Sequence, residues 1–237
     1  MESPPQLFRV FSLPETYTLE KGNNMKETIL KKLTKEYVID SRDMGKLRTI
    51  RKGLFHFECE AYTIRNTGNL FFIGMSAMFG LMKMETAVIT PLEKDLSFCN
   101  LDTVKAAGKE TYMFEMYRSA LHEDDLSAFA GMKKKYSSLP DYEFKPRWYD
   151  SLRLDSSIAK SGKKISASAE IMMNDCLDTY LALLRDAPVC DREEKKKAVG
   201  EYVDRLIHEG GEAVDSMNKI IGPELTAKLI REFMYGL

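Results

Sequence analysis

Asp102 is the residue whose setting asks for a chemical explanation. It stands in the stretch EKDLSFCNLDTVKAAGKETYMFEMYRSAL (residues 93–121), after Leu96, Phe98, Cys99 and Leu101 and before Val104. A carboxylate among apolar side chains loses solvation, so it must be paired, hydrogen-bonded or protonated. Two roles fit. The carboxyl can cap the turn DTVKAAG by accepting backbone N–H groups, or it can keep a proton near neutral pH and deliver it to a bound molecule. On residue types alone, capping is the plainer reading.

The other reactive side chains form no familiar machinery. His56, His122 and His208 make no HExxH or HxH pattern, and Cys59, Cys99, Cys176 and Cys190 are too far apart for a CxxC pair, so no metal centre is expected. The cysteines read as reduced, mostly buried thiols, which fits a cytoplasmic protein. No GxGxxG follows a strand, and GxxxxGK[ST] and GxSxG are absent; the usual nucleotide cradles and the hydrolase nucleophile are therefore not expected. Asp124-Asp125 and Glu193-Glu194 are acidic pairs in polar helical contexts and read as solvated faces. Met75, Met78, Met82 and Met84 crowd one region. A plain core accounts for them, as would contact with a flat aromatic ligand, to which thioethers adapt.

The elements that must position these residues show in the periodicity. Residues 1–24, rich in Pro and polar groups, read as an irregular lead-in, and residues 25–237 as a single domain without an internal linker. MKETILKKLTKEYVID (25–40) spaces its apolar residues as a helix does. From about residue 47 to 118 the period is two, as in GLFHFECEAYTIR and LMKMETAVIT. Turn signals at Gly53, Asn66-Thr67-Gly68-Asn69, Gly80 and Ala107-Gly108 join five strands into an antiparallel meander. Helices are predicted over 121–139, 166–186, 192–210 and 222–237, with an irregular stretch, PDYEFKPRWYDSLRLDSS, after the first. A sheet followed by amphipathic helices predicts an α/β fold, a three-layer α/β/α sandwich with a central antiparallel sheet.

Bulk properties narrow the partners. The chain has 237 residues, 44% hydrophobic, with 35 Lys plus Arg against 36 Asp plus Glu. This balance gives no charge-based case for nucleic acid. The longest apolar run, LFFIGMSAMFGLM (70–82), falls short of the roughly 20 residues a membrane helix needs, so no membrane partner is expected.

In order and spacing, several of these stretches resemble the ferredoxin-dependent bilin reductases, the family of the phycocyanobilin and phytochromobilin synthases. TPLEKDLSFCNLDTV (90–104) resembles the family's central signature, where a Pro-containing turn leads into a strand carrying a catalytic Asp. TYMFEMYRSAL (111–121) resembles the following strand, SLPDYEFKPRWYDSLRLDSS (138–157) a segment with Pro-x-Trp and a Ser-containing strand, and MNKIIGPELTAKLIREFMYGL (217–237) the family's closing segment. In the family a His precedes the Pro and partners the Asp; the corresponding positions here hold Glu85 or Thr86. A further family acid, one strand earlier, falls near Gly74 or Met75.

The resemblance implies reduction of a linear tetrapyrrole, a biliverdin-like bilin, by proton-coupled single-electron transfers. No metal, flavin or nicotinamide would be bound, and electrons would come from reduced ferredoxin or flavodoxin. Asp102 would be the catalytic acid, with Glu85 in the histidine's place if it faces the same pocket. Thr86, Met84, Phe98, Glu115, Arg147 and Arg153 would contact the substrate. Lys145, Arg147, Arg153, Lys160, Lys163 and Lys164 would grip propionates or steer an acidic ferredoxin, unless they form an ordinary solvated surface. A cytoplasmic monomer is expected. The alternatives are a tetrapyrrole carrier that kept this fold without the reaction, and an interaction module that binds no tetrapyrrole.

Overall fold

The period-two region becomes most of an 8-stranded sheet whose strand pairings are antiparallel. The computed structural model describes residues 25–237; the lead-in expected over 1–24 lies outside the described residues. Strands β1 (Ile39–Arg42), β2 (Thr49–Lys52), β3 (Phe55–Ile64), β4 (Gly68–Ala77), β5 (Met82–Pro91), β6 (Phe98–Ala106), β7 (Lys109–Tyr117) and β8 (Ile158–Gly162) follow the chain. In space the order is β1-β3-β4-β5-β6-β7-β8, and β2 pairs with the remaining length of β3. The helices are α1 (Met25–Leu33), α2 (Met132–Lys135), α3 (Ser166–Asp186), α4 (Arg192–Glu209), α5 (Glu212–Ile221) and α6 (Pro223–Lys228), the last continuing into a π-helical turn over Leu229–Met234.

Alternation along each strand divides its side chains between two apolar clusters. Leu70, Phe72, Ala87, Ile89, Leu101 and Phe114 join Ile29 and Leu33 of α1 and Met172, Leu177 and Tyr180 of α3. Phe71, Ile73, Val88, Phe98 and Tyr117 join Val199, Tyr202 and Val203 of α4, Val214 and Met217 of α5, and Phe233 and Tyr235 of the closing segment. Each large side chain buried this way is worth about 1.5–3 kcal/mol. The fold is thus α/β, with a mostly antiparallel sheet and accompanying helices.

Several polar contacts fix the helices to the strands. Asn69 Nδ2 donates to the carbonyls of Phe233 (2.8 Å) and Met234 (3.0 Å), while Arg42 Nη1 donates to Asn69 Oδ1 (2.8 Å) and the Glu232 carbonyl (2.9 Å). These bonds satisfy carbonyls that a helix end otherwise leaves open. Lys195 of α4 is fully buried; its Nζ donates to the carbonyls of Leu96 (2.9 Å) and Ser119 (2.7 Å) and lies 3.6 Å from Asp95 Oδ1. The Tyr180 hydroxyl donates to the Ser97 carbonyl at 3.0 Å.

The departures from the expected elements have local causes. The helix expected over 25–40 stops at Leu33, because Ile39–Arg42 extends along β3 with Ile39 opposite Ile64. In place of a helix over 121–139 there is a largely irregular segment containing α2. Asp95 accepts from the Leu121 and His122 backbone N–H groups, and Asp125 from that of Ser127, bonds that compete with helical ones. β8 follows directly after the segment read as irregular, in residues given no element from sequence, and is drawn into the sheet by pairing with β7. α5 was not anticipated; it ends at Gly222, after which Pro223 begins α6.

Candidate active site

The sheet register assembles the site on the face covered by α4, α5 and the closing segment. Asp102 lies opposite Thr86 on β5 and Met113 on β7; two residues along, Asn100 lies opposite Glu115, and Phe98 opposite Tyr117. On neighbouring β4, Ile73 lies opposite Thr86 and Met75 opposite Met84. Asp102 and Glu115 are therefore diagonal neighbours on adjacent strands, about 7–8 Å apart at the backbone.

Coverage changes along this face. Val88, Phe98, Glu115 and Tyr117 are buried, whereas Met84, Thr86, Asp102, Val104 and Met113 retain accessible surface. Asp102 stands at the boundary. Its neighbours on this face, Met84, Val104 and Met113, form a partly accessible floor of methionine and aliphatic carbon. Two surface hollows, of ≈ 410 Å³ beside His122, Glu194 and Lys197 and ≈ 350 Å³ beside Tyr37, Lys94 and Arg185, lie elsewhere.

The electrostatics of Asp102 differ from those of a turn cap. The Thr86 hydroxyl donates to its Oδ1. Surrounding atoms displace enough water that burial, followed by the nearby Glu115 charge, pushes the carboxyl up to about 7, against the opposing Thr86 hydrogen bond. It is poised between acid and base near neutral pH. Glu115 is also raised by burial, held back by the Arg153 charge; Arg153 Nε is 2.8 Å from Glu115 Oε1, and the Tyr117 hydroxyl donates to the same oxygen at 2.9 Å. Arg153 further pairs with Asp150 at 3.0 Å and lies flat over Phe144 at 3.8 Å.

The expected site residues separate accordingly. Asp102, Thr86, Met84, Phe98 and Glu115 share one face, with Phe98 beneath the surface against Tyr117, Tyr202 and Tyr235. Glu85 does not join them. It alternates with Thr86, lies opposite Thr103 and points to the other face, where Lys105, Lys83, Glu170 and Lys26 act on its carboxyl. It therefore cannot occupy the histidine's place beside Asp102. Arg153 reaches the site as the partner of Glu115, while Arg147 is half-buried at the start of the 3-10 turn Trp148–Leu152. The six-residue basic group is not one surface, because Arg153 turns inward and buried Lys160 donates to Asp141 and to the Leu139 carbonyl.

Other residues here were not singled out from sequence. Asn100, two positions before Asp102, shares its face; its buried Oδ1 has no partner among the described residues, an arrangement costing about 1–3 kcal/mol unless a bound group or water donates to it. The Tyr235 phenol is buried beside Asn100 and Tyr202 and feels the charges of Asp102 and Glu115. Strand alternation would have found Asn100. Tyr235 is brought in by the closing segment, more than a hundred residues away in sequence, and no local pattern marks it.

Among the described residues, no group of three or more His, Cys, Asp or Glu side chains could hold a metal ion, and no helix is long and apolar enough to cross a membrane. No protein-family model matches the chain, and no curated protein matches it. A solved structure does: phytochromobilin synthase from tomato, crystallised in complex with biliverdin, is similar over 90% of this chain and 82% of its own, with a TM-score of 0.72 at 12% sequence identity. The resemblance first drawn from short motifs thus holds at the level of the fold, which this chain shares with phytochromobilin synthase.

Proposed function

We propose that the protein is an oxidoreductase that reduces a linear tetrapyrrole of the biliverdin type, with electrons delivered singly by reduced ferredoxin or flavodoxin. The observation that carries the reading is Asp102: an acid pushed up to about 7, on a half-open, methionine-rich sheet face. Support comes from the fold shared with a phytochromobilin synthase that binds biliverdin. We take the three-layer α/β/α arrangement of that reading to place the pigment between this sheet face and the α4–α6 side.

Reducing one double bond takes two electrons and two protons. In this scheme Asp102 gives one proton from its carboxyl and recovers it from solvent through its accessible side. Thr86 donates to the Oδ1 atom, which leaves the other oxygen to carry the proton. Glu115, paired with Arg153, is the charge that helps keep the proton on Asp102, and the second proton comes from solvent at the accessible side of the site. Met84 and Met113 present soft, polarizable surface to a flat conjugated ligand. Phe98 supports the floor from below, and Arg147 is proposed to meet a propionate.

The test is a visible-absorption titration with biliverdin, followed by anaerobic addition of reduced ferredoxin. The expected result is a perturbed spectrum on mixing, then conversion to a blue-shifted product as conjugation shortens. An unperturbed spectrum refutes bilin binding; perturbation without conversion by ferredoxin or flavodoxin refutes the reductase and leaves the carrier.

A further inference from the structure

One end of the sheet has a surface that the proposed reduction at Asp102 does not use, although the family resemblance assigns two of its lysines, Lys163 and Lys164, to a propionate or an acidic ferredoxin. The register places the turns β2–β3, β4–β5, β6–β7 and β8–α3 at this same end: Lys52 pairs with Phe55, Phe55 with Ala77, Ala77 with Met82, Met82 with Ala106, and Glu110 with Gly162. The tips carry large apolar side chains directed into water. Phe79 is 95% exposed and Leu81 72%, and Met78 and Leu54 are also exposed. Met78 and Phe79 both have left-handed backbone, φ 52° and 57°, a conformation that non-glycine residues seldom adopt and that here holds the aromatic ring out at the apex.

Cations surround these tips. Lys83 follows the β4–β5 turn, Lys105 and Lys109 flank the β6–β7 turn, and Lys163 and Lys164 form the β8–α3 turn; all five are exposed. The acid of these turns, Glu110, is occupied: its Oε2 accepts from the Ile165 and Ser166 backbone N–H groups at 2.9 Å. Glu85, farther up β5, offsets part of the charge of Lys83 and Lys105. The end is therefore an apolar apex inside a positive collar.

Such a combination matches a lipid surface with anionic headgroups, into which apolar tips insert while lysines meet phosphate and carboxylate. A soluble acidic protein would account for the lysines but not for a fully exposed phenylalanine on a left-handed turn. We infer that this end of the sheet docks peripherally on an anionic membrane, with Phe79 and Leu81 inserted among the lipids. The expectation of no membrane partner, drawn from the absence of a spanning run, does not extend to such a contact. Docking is independent of the bilin reading, though Met82, Met84 and Val104 line a path of about 13 Å from the tips to Asp102.

The test is co-sedimentation of the full chain with vesicles of phosphatidylcholine containing about one-third phosphatidylserine, compared with pure phosphatidylcholine. The protein is expected to pellet with the anionic vesicles and be released as salt rises from about 0.1 M to about 0.5 M. Phe79→Ser is expected to lower partitioning about tenfold or more, as is the pair Lys109→Glu with Lys163→Glu, with thermal melts confirming that both variants fold. Failure of the wild-type protein to pellet overturns the proposal, including when it binds an acidic protein instead. Pelleting that is indifferent to Phe79→Ser overturns insertion.

Discussion

Asp102→Asn should make the protein more stable, by an amount that depends on pH in one direction only. In the folded chain the Asp102 carboxyl is raised from 3.8 to about 7. Between those values the folded protein holds a proton that the unfolded chain has released, so stability falls as pH rises through the window and the loss is complete above about 7. With each pH unit worth about 1.4 kcal/mol, the fully buried limit is ~4 kcal/mol. Asp102 keeps some accessible surface, and solvent screening lowers this to about 2 kcal/mol. Asparagine has the same shape, can accept the Thr86 hydroxyl bond through its carbonyl oxygen, and never ionises. Urea denaturation of both proteins at a series of pH values should show equal stability below pH 4 and a gap opening to about 2 kcal/mol in favour of Asp102→Asn by pH 8. A constant gap, or one that favours wild type at high pH, would refute the claim that burial holds this acid protonated.

Further predictions concern the neighbours of that carboxyl and the supports of the fold. Glu115→Gln removes a charge that raises Asp102, and Thr86→Val removes a hydrogen bond that lowers it; carboxyl carbon chemical shifts followed through a pH titration should place the Asp102 midpoint lower in the first and higher in the second, and no movement in either would exclude the assigned causes. Lys195→Met removes the charge 3.6 Å from Asp95 and leaves two buried carbonyls without their donor, at an expected cost of about 3 kcal/mol in urea denaturation, whereas a near-neutral result would show that the buried lysine is dispensable. At Gly68 a Cβ would stand 2.1 Å from the Thr90 carbonyl oxygen, so Gly68→Ala should shift β4 against β5 and lower the melting temperature by about 4 °C or more; an unchanged melt would contradict that packing.

The sequence was most informative where periodicity is strong. The alternation from residue 47 to 118 marks β3 to β7, whose register puts Thr86, Asp102 and Glu115 together. Alternation also contained the answer for Glu85, since it and Thr86 are adjacent and must face opposite sides; only the strand's direction relative to the helices was missing. Elements that depend on distant partners were not legible. β1 and β8 are short and become strands only by pairing with β3 and β7, and Tyr235 reaches the site because Asn69 and Arg42 pin the closing turn. Arg153 and Lys160 read as surface charge, yet each turns inward to a specific carboxylate that sequence could not identify.

The most direct test of Asp102 as proton donor is the pH dependence of anaerobic bilin reduction by wild type and Asp102→Asn, with reduced ferredoxin in excess and the visible spectrum as readout. The account predicts a wild-type rate that declines above pH 7, approaching tenfold per unit as the acid form is depleted, and an Asp102→Asn protein that binds the pigment but stalls at every pH. Equal rates in the two proteins, or a wild-type rate flat from pH 6 to 9, would contradict it.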